Sequence, residues 1–372
     1  MDLLKSDLVL LLADTMLTVV LLKGTLVAAA VALVAWAIRR SSAAAHAGIW
    51  TLAFGALVGL FAAWCAMPWW SAAVLRFPRA LFRPTESAQQ ALQPVRQALG
   101  SGGSSSGAIL PELADVPVAS YIAALWITGV LLLAARLVGQ RLTVERIANG
   151  GQPVLDRHCL ALAAQISAEL GIARQVQLIY CDTIEGPAVF GIWRPTVLLP
   201  VAAAAWPADR LESVLRHELA HVQRHDYAAL MLIELVRIVY WINPFVELAA
   251  RQARVSQDRA CDDAALRSGM SPQAYANHLV DTARALGVRR MPLGALPLVR
   301  GVGLRARIEA ILARDSNRAP LPAHTLLRWS AVTVLATAAF GSANLWICES
   351  EHDPPSSAAG VPVSPGPFDP TT

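Results

Sequence analysis

The residues with the clearest chemical potential are His217, Glu218 and His221, which form the pattern HExxH in the segment HELAH. Histidines four residues apart project from one face of an α-helix, so both imidazoles can bind the same metal ion. The glutamate between them then lies beside the remaining coordination position, where a water molecule binds. This pattern is typical of zinc peptidases. The alternative is an ordinary buried helix that contains two histidines by chance.

The sequence around this motif predicts the helix that the three side chains need. Pro207 and Asp209 are helix-start signals, and apolar residues recur at helical spacing at Leu211, Val214 and Leu215. We therefore expect the motif to lie on one helix with a buried face.

A catalytic zinc ion takes three protein ligands, so the third must come from another part of the chain. The helix-like segment 245–267 contains Asp258 and Asp262, which share a helix face because they are four residues apart. One carboxylate could bind the metal, and the other could hydrogen-bond the second ring nitrogen of a ligand histidine. The alternative is a solvated acidic surface that pairs with nearby arginines at positions 254, 259 and 267.

Two further residues compete for these roles. His225 lies four residues beyond His221, but a straight helix turns a third histidine away from a metal held by the first two. We therefore do not expect His225 to be a ligand. Asp226 is better suited to end the helix or to support a ligand than to bind the metal itself.

Several segments together resemble the BlaR/MecR-type membrane zinc peptidases, the signal-transducing proteases of bacterial β-lactam resistance. They are GIWRPTVLLP at 191–200, the motif region 216–226, WINP at 241–244, ACDD at 260–263, and the pairs 275–276 and 307–308. The resemblance extends over 18–347. It is far more specific than HExxH alone.

The resemblance implies a Zn²⁺ site with His217, His221 and Asp258 as ligands, Glu218 as the catalytic base and Asp262 as a supporting residue. The family usually has glutamate at the position of Asp258, so the shorter aspartate requires the two helices to lie slightly closer together. The resemblance also implies a protein substrate, a BlaI/MecI-like DNA-bound repressor. Members of this type carry a penicillin-binding domain after the last span, where this sequence has a proline-rich segment, so we expect no β-lactam sensing by such a domain.

Composition predicts an integral membrane protein. The chain is 55% hydrophobic and only 16% charged, and four segments are long enough to cross a bilayer as helices. These segments are 18–38, 47–67, 118–137 and 329–347. We interpret the first as a retained span and not a cleaved signal peptide, because it lacks a basic leader and is longer than a signal core. The distribution of Lys and Arg favours a cytoplasmic location for 138–328 at the bacterial inner membrane, in agreement with the family's topology.

The predicted fold is therefore mainly α, with an α+β gluzincin-like zinc metalloprotease domain between the third and fourth membrane helices. The expected organisation is two membrane helices in 1–67, an external loop with a Gly/Ser linker in 68–117, a third membrane helix in 118–137, the protease domain in 138–328, a fourth membrane helix in 329–347 and a disordered external tail in 348–372.

Within the protease region, 176–180 and 196–199 have the β-branched composition of short strands. The segment 187–199 is either a structural hairpin or an edge strand that binds a peptide by strand addition.

The five cysteines are scattered without a CxxC pair, which argues against a cysteine-based zinc site. The basic residues are explained by membrane orientation, so we expect no direct nucleic-acid binding. The sequence does not predict the oligomeric state.

Three functions fit these features. The first is a signalling protease that controls a transcriptional repressor. The second is a membrane protease for quality control or maturation, which the same site and anchor would support. The third is a membrane sensor with a degenerate zinc site, which the aspartate at position 258 would favour.

Overall fold

The computed structural model describes residues 18–66, 72–78, 118–184, 186–285, 296–297, 304–313 and 316–348. These residues fall into two compact units, one drawn from 1–68 and 110–341 and the other from 69–109 and 342–372. The described part of the smaller unit includes strands β1 (Ala72–Pro78) and β7 (Ala343–Cys348), which pair in parallel. The predicted Gly/Ser linker and the proline-rich tail lie outside the described residues.

The larger unit is mainly helical. A π-helical turn at Thr18–Lys23 leads into helix α1. The helices are α1 (Gly24–Ala37), α2 (Ala43–Ala66), α3 (Val118–Gly150), α4 (Arg157–Glu169), α5 (Ala208–Arg224), α6 (Asp226–Val239), α7 (Pro244–Arg267), α8 (Pro272–Ala285), α9 (Leu304–Leu312) and α10 (Ala323–Ser342). A short 3₁₀ helix at Val201–Ala205 precedes α5.

Among the described residues, three helices are long and apolar enough to cross a membrane, at Val19–Ala37, Ala43–Cys65 and Ser120–Gly150. They agree with the first three predicted spans, although the third helix continues well past residue 137. The fourth prediction is wrong at its end. Helix α10 stops at Ser342, and the following residues form β7, where their backbone groups bond to β1 instead of continuing a helix. A fourth crossing by α10 stays a prediction.

Five described strands form one sheet, in the order β2-β3-β5-β4-β6. Their bounds are Gln152–Pro153, Gln177–Cys181, Thr196–Pro200, Ala188–Phe190 and Leu296–Pro297, respectively. Strands β3 and β5 are parallel and the other pairs are antiparallel. Both strands predicted from β-branched composition are present, each within one residue of its expected bounds.

Strand β4 and strand β5 form the hairpin around the segment 187–199. The edge of β4 that faces away from β5 pairs with β6 of the same chain, through Ala188 with Pro297 and Val189 with Leu296. Of the two alternatives for this segment, the structure favours the structural hairpin, because a later segment of the chain already supplies the strand next to β4.

The turn between α6 and α7 joins the helices of the site to the membrane helices. Asn243 caps α7 by accepting a hydrogen bond from the Phe245 N–H, and its amide donates to the Val20 carbonyl at 2.9 Å. Tyr240 donates to the Leu57 carbonyl at 3.0 Å. Gly24 allows close packing here, since a Cβ at this position would lie 3.0 Å from the Tyr240 ring. The turn is thus fixed against both α1 and α2.

Helix α7 connects this turn to the candidate site. It has 24 residues, so it spans about 36 Å at 1.5 Å per residue. Small buried residues at Ala249, Ala250 and Ala253 allow the first half to pack closely in the core that it shares with α2 and α6. The second half carries Asp258 and Asp262. One helix therefore extends from the membrane-helix core to the predicted ligands.

Candidate metal centre

Helix α5 carries the HExxH motif and begins where the sequence predicts. Pro207 is its N-cap residue, and an almost continuous run of residues from Leu211 to Val222 is buried. His217, Glu218 and His221 are each at most 1% exposed. Three polar side chains on one helix are therefore enclosed by protein, where each polar atom needs a partner.

The outer nitrogen of His221 is held by an acidic residue just after the helix. His225 ends α5 in the left-handed conformation (φ 59°), which reverses the chain and starts α6 at Asp226. The Asp226 carboxylate then lies 2.9 Å from His221 Nδ1 and also accepts from Arg224 Nε at 3.1 Å. This turn explains why His225 does not join the metal-binding group of His217, His221 and Asp258.

Cys261 lies on the same side of the His221 ring. Its thiol is 3.3 Å from Nδ1 and donates to the Asp226 carboxylate over 3.4 Å. Burial raises the pKa of Cys261 to about 11, so the group is a neutral thiol near pH 7. Burial opposes protonation of His221, but the Asp226 carboxylate beside its ring raises the pKa of His221 above its ordinary value. A cation at Nε2 would release that proton.

The outer nitrogen of His217 is contacted by residues from two other helices, and a residue of a third helix binds one of them. Asp262 Oδ1 on α7 lies 3.1 Å from His217 Nδ1, and the Tyr275 hydroxyl on α8 lies 2.9 Å from the same nitrogen. Tyr275 also donates to Asp262 at 2.7 Å, and Arg307 on α9 donates to both oxygens of Asp262. The sequence predicts a supporting role for Asp262 beside a histidine but assigns no role to Tyr275 or Arg307.

The electrostatics of this cluster follow from burial and the charge of Arg307. Burial lowers the pKa of His217 to about 4, against the opposing effect of Asp262. Burial disfavours the charged form of Asp262, but Arg307 more than offsets this and holds the pKa of that carboxyl well below its usual range. Asp262 is therefore a carboxylate beside a neutral imidazole. A neutral imidazole is the form that binds metal.

The inner nitrogens of the two histidines face the third predicted ligand. The Asp258 carboxylate lies 3.8 Å from His221 Nε2, and donor atoms of His217, His221 and Asp258 all lie within 4.8 Å of one another. The Asp258 side chain is 22% exposed, so this group has the greatest access to solvent of the three. The shorter aspartate thus reaches the two imidazoles from α7.

Unpartnered buried atoms test whether a metal fits here. His217 Nε2, His221 Nε2 and both Glu218 carboxylate oxygens are buried without a hydrogen-bond partner among the described residues. Two imidazole nitrogens and a nearby carboxylate form the donor set that Zn²⁺ takes in peptidases, with one position left for water. The donor chemistry and the orphaned atoms therefore fit a zinc ion.

A cleft of about 260 Å³ opens beside His221, between the β4–β5 hairpin and the end of α5. Its lining includes Val189, Ile192 and Tyr227. Arg174 joins the two walls, donating to the Ile192 carbonyl at 2.8 Å and the Val222 carbonyl at 3.2 Å. The candidate site thus adjoins a partly apolar surface depression.

Comparison with known proteins identifies the family of the chain. The sequence pattern of the family described as BlaR1 peptidase M56 matches residues 19–311, well over half of the chain. The chain belongs to this family. The match runs from the first membrane-type helix through α9, so it includes every residue of the candidate metal centre.

Individual relatives within this family match over shorter segments. The regulatory protein BlaR1 of Bacillus licheniformis is 31% identical over 145 residues, which is 39% of this chain and 24% of that protein. The methicillin resistance mecR1 proteins of Staphylococcus aureus and Staphylococcus epidermidis are 26% identical over 90 residues, 24% of this chain and 15% of theirs. The aligned segments thus span a quarter or less of these relatives.

Proposed function

We propose that this chain is a membrane-bound zinc endopeptidase of the BlaR/MecR type that cleaves a protein substrate to transmit a signal. The observation that carries the proposal is the set of buried, unpartnered atoms at His217, Glu218 and His221, two of which belong to histidines whose donor atoms lie close to Asp258. Such atoms are costly in a folded protein unless a ligand or ion satisfies them. Family membership and the membrane-type helices support the same proposal.

In this proposal His217 and His221 hold the metal through Nε2, and Asp258 holds it through its carboxylate. Bound zinc would supply a Lewis acid that polarises a carbonyl and lowers the pKa of water to about 7. Glu218 accepts the proton of the attacking water and passes it to the departing amine. Burial raises the pKa of Glu218 to about 8 when no metal is present. The positive charge of a bound zinc ion would favour the carboxylate form, which is the form that accepts a proton near neutral pH.

The residues around the proposed ligands hold each of the two imidazoles in a single orientation. Asp226 fixes the ring of His221, and Asp262 with Tyr275 fixes the ring of His217, so that each Nε2 points inward. Hydrogen bonds of this kind set the tautomer of a ligand histidine and increase its basicity. We propose Asp262 as the supporting residue that the sequence predicted, with Asp226 in the matching role for His221.

We further propose that the substrate is a transcriptional repressor of the BlaI/MecI type, because the similar proteins are named as regulatory and methicillin-resistance proteins. The protease region would then lie on the cytoplasmic side of the inner membrane, where such a repressor binds DNA. In this arrangement the repressor binds the DNA, so the chain itself needs no contact with nucleic acid.

The decisive experiment compares the proteomes of cells that express the wild-type chain or Glu218→Gln. We expect Glu218→Gln to reduce cleavage by roughly 10²–10⁴-fold, the contribution of a general base, while zinc stays bound. Glu212→Gln is the matched control on the same helix, because Glu212 is 38% exposed and pairs with Arg216. It should leave cleavage unchanged.

The fragments that depend on Glu218 also decide between the functions. A repressor fragment supports the signalling protease, whereas many membrane-protein fragments support a quality-control enzyme. Normal cleavage by Glu218→Gln, or a purified wild-type chain without stoichiometric zinc, would contradict the zinc-peptidase proposal.

A further inference from the structure

We propose that Arg307 is a positioning residue of the metal centre, which acts through Asp262 to hold the His217 imidazole in its metal-binding orientation. The inference rests on the proposed zinc site. It adds one requirement beyond the HExxH motif and the three ligands. Helix α9 must pack against the helices of the site for the site to bind metal tightly.

The contact between Arg307 and Asp262 is bidentate and enclosed. Arg307 Nε donates to Asp262 Oδ2 at 2.8 Å, and Nη2 donates to Oδ1 at 2.6 Å. The side chains are only 5% and 4% exposed, respectively. A guanidinium and a carboxylate that meet as two parallel bonds fix each other's orientation as well as their charge. Removing the arginine would leave a buried carboxylate without its compensating cation.

The orientation of Asp262 in turn determines the orientation of His217. Asp262 Oδ1, which Arg307 contacts, is the oxygen that lies 3.1 Å from His217 Nδ1. The Tyr275 hydroxyl donates to this oxygen at 2.7 Å and lies 2.9 Å from the imidazole nitrogen. An Nδ1–H that donates to the carboxylate leaves the lone pair of Nε2 free for a metal.

Arg307 reaches this position from a separate part of the chain. Helix α9 packs its Ile311 into the core that also contains Leu215 and Leu219 of the HExxH helix. Its other arginine, Arg305, is 94% exposed and pairs only with Glu309 among the described residues. The two arginines of this short helix thus lie in opposite environments, one buried and one exposed. Replacing Arg305 is therefore a control for replacing Arg307, because both changes remove the same charge and alter helix propensity equally.

The test measures zinc affinity by chelator competition on the full-length chain purified in detergent micelles. Arg307→Met should weaken zinc binding by roughly 10–100-fold, the usual effect of losing a partner that orients a ligand. Arg307→Lys should fall between wild type and Arg307→Met, because it restores the charge without the two-pronged geometry. Arg305→Met should bind zinc as the wild type does.

Two further readouts separate positioning from a general loss of folding. The absorption spectrum of Co²⁺-loaded protein reports ligand geometry, so it should change in Arg307→Met and be partly restored in Arg307→Lys. In an Asp262→Asn background, Arg307→Met should change zinc affinity by less than about 3-fold, because residues that act through one another are not additive. If Arg307→Met alone does not fold, the test uses two other comparisons. These are Arg307→Lys against wild type, and Asp262→Asn with and without Arg307→Met.

Zinc affinity and Co²⁺ spectra that are the same in wild type and Arg307→Met would overturn the inference and leave the proposed peptidase intact. Additive losses for Asp262→Asn and Arg307→Met would also overturn it, since Arg307 would then act independently of Asp262. A wild-type chain that binds no zinc would instead refute the proposed function itself. A failure of the Arg307 inference can therefore be distinguished from a failure of the proposed function.

Discussion

The Asp226 carboxylate lies 2.9 Å from Nδ1 of His221, although the two residues belong to different helices. The left-handed backbone of His225 makes this contact possible, because it ends α5 and directs α6 back over the imidazole. A short local turn thus places a carboxylate beside the candidate ligand His221, whereas the carboxylate beside His217 comes from a residue far along the chain.

Removing the Asp226 carboxylate should weaken the metal site without removing a ligand. We expect Asp226→Asn to lower zinc affinity by roughly 10–100-fold, because His221 loses the charged acceptor that orients its ring. Chelator competition measures the change. Asp281→Asn, at a half-exposed position that pairs with Arg284, is the control and should bind zinc normally. Equal affinities of Asp226→Asn and wild type would show that Asp226 does not support the ligand.

Variants at Asp258 test the third ligand and the departure from the usual glutamate. Asp258→Ala removes a proposed ligand. It should therefore reduce zinc affinity by more than the roughly 10–100-fold expected when a residue that only hydrogen-bonds a ligand is lost. Asp258→Glu should retain zinc far better than the alanine variant, because a carboxylate with one more methylene still reaches both imidazoles. Zinc content measured by mass spectrometry after dialysis distinguishes the variants. Full retention by Asp258→Ala would exclude this residue as a ligand.

The stability of the zinc-free protein should depend on pH through Glu218. Burial raises the pKa of Glu218 to about 8, compared with about 4.3 in an unfolded chain. The folded state therefore holds one more proton between these values, and its free energy of unfolding decreases as pH rises from about 4.3 to about 8. Glu218→Gln lacks this proton equilibrium.

Thermal unfolding of wild type and Glu218→Gln in excess chelator checks this prediction. The stability of the glutamine variant relative to wild type should rise steadily from pH 5 to pH 8 and then level off. Bound zinc should reduce the trend, because its positive charge favours the Glu218 carboxylate. A difference that stays constant across this range would contradict the burial effect.

Asn243 should contribute strongly to stability, although it lies far from the metal centre along α7. Asn243→Ala removes the cap of that helix and the hydrogen bond to the Val20 carbonyl, both in a buried position. We expect a loss of about 2 kcal/mol, from roughly 1 kcal/mol for each of the two interactions. Thermal unfolding in detergent measures it. Asn317→Ala, which removes an exposed bond to the Ala319 N–H, is the control and should have a much smaller effect.

Much of the fold was predictable from sequence because its signals are local. Helix α5 begins after Pro207 as expected, and α7 occupies the segment expected to carry Asp258 and Asp262. Three apolar segments form the helices that their length and composition indicated. In each case neighbouring residues supply the periodicity and the caps that determine the element. The end of α10 was wrongly predicted, because strand pairing with β1 depends on residues far away in sequence.

The sequence by itself indicated which groups form the candidate site, because HExxH places two histidines and a glutamate on one helix, and a third acidic group was expected in the helix-like segment 245–267. Only the tertiary structure decided which atoms support them. Asp262 and Arg307 are 45 residues apart, and no periodicity relates them. Their contact exists because α7 and α9 pack against the HExxH helix in one core, where a buried carboxylate requires a buried cation.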